Sequence, residues 1–152
     1  MKEIEIISEN ENYSAANIGN LADLLNYSYK HPQLGVEIPG KLFIGKRLKT
    51  SGAEVSFQVM PANTAIPFYH KHDKNEEIYV FLRGSGQIQI DDDIFEVKEG
   101  SIIRINPEGK RTWRNNSNEP LIFMVIQAKQ NSLKTFETLD GYGVKEAVKW
   151  NK

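Results

Sequence analysis

The sequence contains no cysteine, so disulfide bonds and thiolate metal sites are excluded. It has no run approaching the roughly 20 consecutive apolar residues of a membrane-spanning helix. Its charges nearly cancel, with a formal net charge of −1, and nothing indicates a general affinity for nucleic acid or acidic membranes. The acidic start of the chain lacks the basic and apolar stretches of a secretory signal. We therefore expect a cytoplasmic protein that binds neither membranes nor nucleic acid.

The chain has 152 residues, and we expect one domain over 1–152 with a core at about 41–128. In this core, short runs rich in valine, isoleucine, phenylalanine and tyrosine alternate with turn clusters. The runs predict strands at residues 41–48, 53–60, 66–72, 77–83, 87–90, 94–98, 101–105, 110–115 and 120–128. Short strands at this regular spacing favour an all-β fold, an antiparallel sandwich or barrel.

The two ends of the chain differ from the core. Residues 1–40 are expected to be irregular except for a short helix that follows a good helix cap at Asn20. The apolar residues at and just before this helix share one helical face, namely Ile18, Leu21, Leu24 and Leu25. Residues 129–152 are expected to form a short helix or an extended arm packed on the barrel, because apolar residues recur at helical spacing between 144 and 148.

The predicted strand 77–83 is apolar on both faces, with the run Ile78-Tyr-Val-Phe-Leu82. Such a strand should be covered on both sides, by the barrel interior and by something outside. A second subunit is one candidate for the outer cover, and we expect a homodimer.

Two of the three histidines form His70-Lys71-His72. Residues two apart on a strand point to the same face, about 6.6 Å from each other, so both imidazoles can enter one cavity. Glu77 begins the next predicted strand after a turn, and its carboxylate can meet both imidazoles. This set suffices for Fe, Mn, Zn or Ni, with open positions for a substrate, O₂ or an activated water. An isolated His-x-His pair can equally be two polar residues without a role.

This region resembles the first motif of the cupin superfamily, with the pattern His70-x-His72-x4-Glu77-x6-Gly84. A second motif follows, in Gly100-Ser-Ile-Ile-Arg-Ile-Asn-Pro107-Glu-Gly109 and then Asn115-Asn116. The resemblance covers about residues 41 to 128 and is greatest to small single-domain bacterial cupins of unassigned role. It implies a double-stranded β-helix, or jelly-roll barrel. It specifies a reaction only weakly, because cupins include dioxygenases, isomerases, epimerases, sugar-binding regulators and storage proteins.

The chain departs from the family pattern in three places. The second motif of the family supplies a histidine three residues after the glycine of Pro-x-Gly, and this chain has Thr112 there and no histidine after His72. Six residues, instead of the usual five, separate Gly100 from Pro107. The glycine that precedes the first motif is replaced near Asn63, and asparagine is the best substitute where a positive φ is needed.

Thr112 leaves three alternatives for the site. In the first, a divalent metal is held by His70, His72 and Glu77 together with waters. In the second, the site is metal-free and its polar groups bind a small molecule directly. In the third, His31 folds in as a replacement ligand.

Two classes of function follow. One is a metal-dependent enzyme, an oxygenase or isomerase, acting on a small polar or aromatic molecule. The other is a cupin that binds or senses a small ligand without catalysis. A metal-free, epimerase-like reaction is a third hypothesis, with a histidine beside Glu77 as general base.

Further residues are candidates for the lining of the pocket: Thr112, Tyr79, Phe81, Arg114, Lys110 and Arg104. If Thr112 points inward, strand alternation sends Lys110 and Arg114 inward too, where a cation could clamp a carboxylate or phosphate. The alternative is that both are ordinary solvated charges, since charged groups are rarely fully buried. Arg104 lies in an apolar strand, and a charge there often pairs across the sheet or with a partner subunit.

Overall fold

The computed structural model describes residues 2–32, 35–137 and 140–150. In these residues the chain forms thirteen short strands, one α-helical turn and one 3₁₀ helix. The strands are β1 (Glu5–Glu9), β2 (Ser14–Asn17), β3 (Ser28–Lys30), β4 (Glu37–Pro39), β5 (Lys41–Phe43), β6 (Glu54–Met60), β7 (Thr64–Ala65), β8 (Asn75–Arg83), β9 (Ser85–Ile90), β10 (Asp93–Lys98), β11 (Ile102–Ile105), β12 (Arg111–Asn115) and β13 (Leu121–Lys129). The 3₁₀ helix spans Leu21–Asn26, and the helical turn α1 spans Gly45–Leu48.

Two antiparallel sheets form the core. One has the strand order β11-β8-β13-β6-β5 and the other has the order β10-β9-β12-β7. Their alternating inward side chains build one interior cluster, which contains Met60, Tyr79, Phe81, Ile88, Val97, Ile105, Leu121, Phe123 and Val125. The all-β antiparallel barrel predicted from the strand rhythm is therefore confirmed.

The N-terminal segment covers the outer face of the five-stranded sheet. Leu24 and Tyr27 are buried there against Leu42, Val59 and Ile122, which lie on β5, β6 and β13. The predicted short helix is confirmed as the 3₁₀ helix. The expectation that the rest of this segment is irregular is wrong, because the hairpins β1-β2 and β3-β4 are built from it. This chain thus supplies part of the outer cover that a second subunit was one candidate to provide.

The C-terminal segment has no helix or strand in its described parts, residues 132–137 and 140–150. Its apolar side chains are exposed, with Val144 at 73% and Trp150 at 90%. Of the two predicted alternatives, the short helix near Val144 is therefore absent from these residues, and the packing on the barrel that was expected for either alternative is wrong there. An isolated helix this short is marginal without packing. Residues 138, 139, 151 and 152 of the predicted arm lie outside the described residues.

Two predicted strands are shorter than expected. The run 41–48 ends as a strand at Phe43 and turns into α1, where the N–H of Gly45 donates to Glu54 Oε1 at 2.7 Å. The run 66–72 contains Pro67, which has no backbone N–H to donate. That run pairs through a single bridge, between His70 and Arg111. No helix in the described part of the chain has the length and apolar character to cross a membrane.

Gly84 makes the tight turn between β8 and β9. Its φ is +82°, and a Cβ at this position would collide with the carbonyl oxygen of Pro120. We expect Gly84→Ala to lower the free energy of unfolding by about 2–4 kcal/mol, because it adds backbone strain and a steric clash. Urea denaturation followed by circular dichroism measures this. Gly52→Ala is the control, since its Cβ would meet nothing within 4 Å, and equal midpoints for the two variants would contradict the prediction.

Candidate functional site

Three polar side chains meet at one end of the barrel interior. Glu77 lies on β8, on the same inward face as Tyr79, and is 2% exposed. His70 and His72 lie on the segment that leads into β8. His70 is fixed by its bridge to Arg111, in which the backbone N–H of each residue donates to the carbonyl oxygen of the other at 3.1 Å. The local backbone therefore presents both imidazoles to one carboxylate.

The potential ligand atoms of the three residues are close together. His72 Nε2 lies 3.1 Å from Glu77 Oε1, and His70 Nε2 lies 3.7 Å from Glu77 Oε2. One atom from each residue can be chosen so that all three lie within 4.8 Å of one another. His72 Nε2 is buried and is not aligned for a hydrogen bond with any described residue, despite its short distance to Glu77. The trio can hold a metal ion.

A buried arginine completes the group. Arg111, on β12, is fully buried. Its Nε and Nη2 donate to Glu77 Oε2 at 3.0 and 2.6 Å, and its Nη1 donates to the carbonyl oxygen of Gly109 at 2.9 Å. The hydroxyl of Tyr79 donates to the same Oε2 at 2.9 Å. Oε2 is therefore saturated with donors, whereas Oε1 faces His72.

Burial and neighbouring charges shift the pKa values of Glu77 and Tyr79. Burial alone raises the pKa of Glu77, but the two neighbouring imidazoles and the Arg111 guanidinium outweigh burial and hold this pKa well below its ordinary value. Burial, followed by the charge of Glu77, raises the pKa of Tyr79 well above its ordinary value. Glu77 is thus an anion and Tyr79 a neutral hydrogen-bond donor at neutral pH.

A cavity of about 200 Å³ opens beside the trio. Its surface is mainly apolar, and it is lined by aromatic residues together with a few polar groups. The lining includes Tyr29, His31, Ile38, Lys41, Phe43, Gln58, Ile66, Phe68, Tyr79, Trp113, Val125 and Gln127. Concave, mostly apolar sites with a few convergent polar groups are typical of small-molecule binding.

Comparison with known proteins identifies the family. The cupin domain model matches residues 56–127. An uncharacterized protein of Methanocaldococcus jannaschii is 38% identical over 97 residues, which are 64% of this chain and 74% of that protein. The crystal structure of a cupin protein from Bacteroides fragilis is 39% identical, with a TM-score of 0.66 over 68% of this chain and 88% of that one.

The chain belongs to the cupin family. A conserved double-stranded β-helix protein from Klebsiella pneumoniae shares the fold at 19% identity, with a TM-score of 0.57 over 77% of this chain and 93% of that one. Asn63, predicted to take the place of a motif glycine, has the expected positive φ of 56°.

The structure shows that Arg111, and not Thr112, lies opposite the trio of His70, His72 and Glu77. Counting from Pro107 and Gly109 in the sequence places Thr112 at the position of the family's missing histidine. In the structure, the side chain of β12 that faces Glu77 is Arg111. The physical reason is the additional residue between Gly100 and Pro107, because the usual spacing counted from Gly100 leads to position 111. Sequence reasoning missed Arg111, although this count from Gly100 could have found it.

The other candidates fall into separate groups. Thr112 and Arg114 line a different groove of about 220 Å³, where the Thr112 hydroxyl donates to the carbonyl oxygen of Ile66. Lys110 lies over the ring of Tyr69 at 5.0 Å. The condition that Thr112 points inward is not met, because alternation along β12 turns its odd-numbered residues inward. Lys110 and Arg114 are exposed, which agrees with the alternative that both are ordinary solvated charges.

Tyr79 lines the cavity, whereas Phe81 belongs to the core and packs on Phe123 with ring centroids 5.4 Å apart. Arg104 pairs with Glu76 on the neighbouring strand at 2.8 Å, as a cross-sheet partner would. His31 lines the cavity, but it is not among the described residues whose ligand atoms cluster with the trio.

Two features bear on whether this cupin accepts a metal. The donor set of two imidazole nitrogens and one carboxylate oxygen suits Fe, Mn, Zn or Ni, and the three atoms lie within 4.8 Å of one another. Arg111 acts in the opposite direction, because it neutralises Glu77 without a metal and repels a cation nearby. The residues fit a three-ligand centre with a weakened affinity.

Proposed function

We propose that this cupin holds a divalent transition metal through His70, His72 and Glu77 and binds a small molecule in the adjoining cavity. The observation that carries the proposal is the cluster of three potential ligand atoms, one from each residue, which all lie within 4.8 Å of one another. Glu77 Oε1 is the free oxygen for the metal. Arg111 and Tyr79 hold Oε2 and so fix the plane of the carboxylate. A bound metal supplies a Lewis acid that polarises an oxygen of the small molecule.

A second candidate is metal-free binding or sensing of a small ligand. It is favoured by the Arg111–Glu77 ion pair, because a compensated carboxylate needs no further cation. In this alternative the two imidazoles of His70 and His72 contact the ligand directly. An oxygenase or isomerase reaction belongs to the metal-bound candidate alone.

Elemental analysis separates the two candidates. For protein prepared without a histidine tag or added metal, we expect close to one divalent transition metal per chain. His70→Gln and His72→Gln should each reduce occupancy at least about tenfold, because each removes one of only three ligands. Lys71→Gln is the matched control, since this exposed side chain lies between them and pairs with Glu108.

Glu77 is a poorer test residue, because its removal leaves the Arg111 charge buried and unpaired. His31→Gln should retain the metal, and loss of metal in this variant would instead make His31 a ligand. If the wild-type chain contains no metal and EDTA does not change its stability, the result would contradict the metal proposal and favour metal-free binding.

Three further expectations extend the proposal. We expect one domain over residues 1–152, a homodimer and a cytoplasmic location. The outward side chains Ile78 and Val80 of β8 are only partly buried, and Ile102 on the adjacent edge strand β11 is 69% exposed. This face supports the dimer proposal, and analytical ultracentrifugation tests it.

A further inference from the structure

Lys41 is a second cation of the cavity, on the wall formed by β5. It lies outside residues 56–127, the part that matches the family model. Its Nζ donates to Ser56 Oγ at 3.0 Å and lies 4.9 Å from the ring centroid of Phe43. No described carboxylate lies within ion-pair distance of this ammonium. Unlike Arg111, Lys41 therefore has no anionic partner within the described protein.

The amine of Lys41 is partly buried. Burial lowers the pKa of Lys41 to about 8, against the opposing influence of the more distant carboxylates of Glu77 and Glu54. A charged group removed from water is disfavoured unless something compensates its charge. An anion that enters the cavity would supply that compensation.

The ring of Trp113 also lines this cavity and carries a donor without a partner in the described part of the chain. Its Nε1 is buried and has no hydrogen-bond partner among the described residues. An indole nitrogen can only donate, so its partner must be an acceptor. The ring is fixed against His70 and Tyr79, with centroid separations of 5.4 and 5.5 Å. The donor direction is therefore set by packing.

The rest of the cavity limits the size and polarity of its ligand. Phe43 packs against Tyr29 with ring centroids 4.7 Å apart, and Ile38 and Phe68 complete an apolar wall. The volume of about 200 Å³ is below the roughly 300–1,000 Å³ of typical ligand pockets. One ammonium compensates one negative charge, which favours a monoanion over a phosphate dianion.

We propose that the ligand of this cavity is a small organic carboxylate with an apolar body of about one ring, and that Lys41 is the residue that selects its charge. Trp113 Nε1 donates to an acceptor atom of the same ligand. The apolar body packs against Phe43 and Phe68. This inference names the ligand class of the proposed site, and it rests on the proposed function for the use of this cavity but not for the presence of a metal.

Calorimetric titration with paired probes tests the inference. Benzoate and phenylacetate carry the charge, while benzamide and phenylacetamide are their neutral counterparts. We expect the wild-type chain to bind the acids at least about tenfold more tightly than the amides. Lys41→Met should abolish that preference, whereas Lys98→Met, at an exposed site on β10, should retain it. Trp113→Phe should weaken acid and amide alike, because both offer an acceptor oxygen.

Metal-loaded and EDTA-treated protein are titrated in parallel. A charge preference that depends on Lys41 in both preparations supports the inference, even if elemental analysis finds no metal. Equal affinity for acid and amide, an unchanged preference in Lys41→Met, or no binding of either acid overturns the inference and leaves the metal proposal standing on its own test. Circular dichroism confirms that each variant is folded before titration.

Discussion

Replacing Arg111 with methionine is expected to lower the free energy of unfolding by about 3–5 kcal/mol. Arg111 and Glu77 are both almost inaccessible to solvent, and the guanidinium makes two hydrogen bonds to Glu77 Oε2. Methionine fills similar space but leaves the carboxylate buried without its cation. Removing one member of a buried pair is costly because the remaining charge is uncompensated. Urea denaturation at neutral pH, followed by circular dichroism, measures the change.

The matched control is Arg114→Met on the same strand. Arg114 is exposed, and its Nε donates to Gln87 Oε1, so we expect a change within about 0.5 kcal/mol. The double variant Glu77→Met with Arg111→Met should regain most of the lost stability, because it leaves no buried charge. Equal unfolding midpoints for Arg111→Met and Arg114→Met would show that the pair does not have this role.

Replacing Arg111 with histidine is expected to tighten divalent-metal binding by at least about 100-fold. The change removes a positive charge beside the site and adds an imidazole that faces Glu77. Two unit charges at 4 Å interact by about 4 kcal/mol at an effective dielectric constant of 20, and about 1.4 kcal/mol corresponds to a tenfold change in affinity. Competition against a chromophoric chelator measures the dissociation constant for Zn²⁺.

Thr112→His is the control for this experiment. Thr112 points into the separate groove and is held by its hydrogen bond to the carbonyl oxygen of Ile66. A histidine there cannot reach Glu77, so we expect no gain in affinity. A tighter Thr112→His variant, combined with an unchanged Arg111→His variant, would reverse the assignment of the inward-facing residue.

The sequence predicts the fold and the trio well because both depend on local patterns. Alternating apolar residues and regularly spaced turns define the strands of a barrel. His70, His72 and Glu77 are close in sequence, so their meeting needs only one strand and one turn. The positive φ of Asn63 follows from the preference of asparagine for that conformation.

The remainder of the site depends on contacts between distant parts of the chain. Arg111 reaches Glu77 from a strand of the other sheet, and a one-residue difference in register exchanges the faces of β12. Lys41 joins the cavity only because β5 pairs with β6 at the edge of the five-stranded sheet. Only the motif spacing counted from Gly100 points to Arg111, and no local pattern marks Lys41. From the sequence alone, Trp113 cannot be distinguished from an ordinary core residue. Its Nε1 without a hydrogen-bond partner among the described residues is visible only in the structure.

The hairpin β3-β4 and the strand β5 form a wall of the cavity, and they lie together in residues 28–43. The barrel carries the polar trio, whereas this contiguous stretch carries Tyr29, Ile38, Lys41 and Phe43. One short stretch of sequence therefore supplies four lining residues of the cavity as well as β5, an edge strand of the five-stranded sheet. A recombination event that exchanges residues 28–43 would replace these four lining residues together and leave His70, His72 and Glu77 in place.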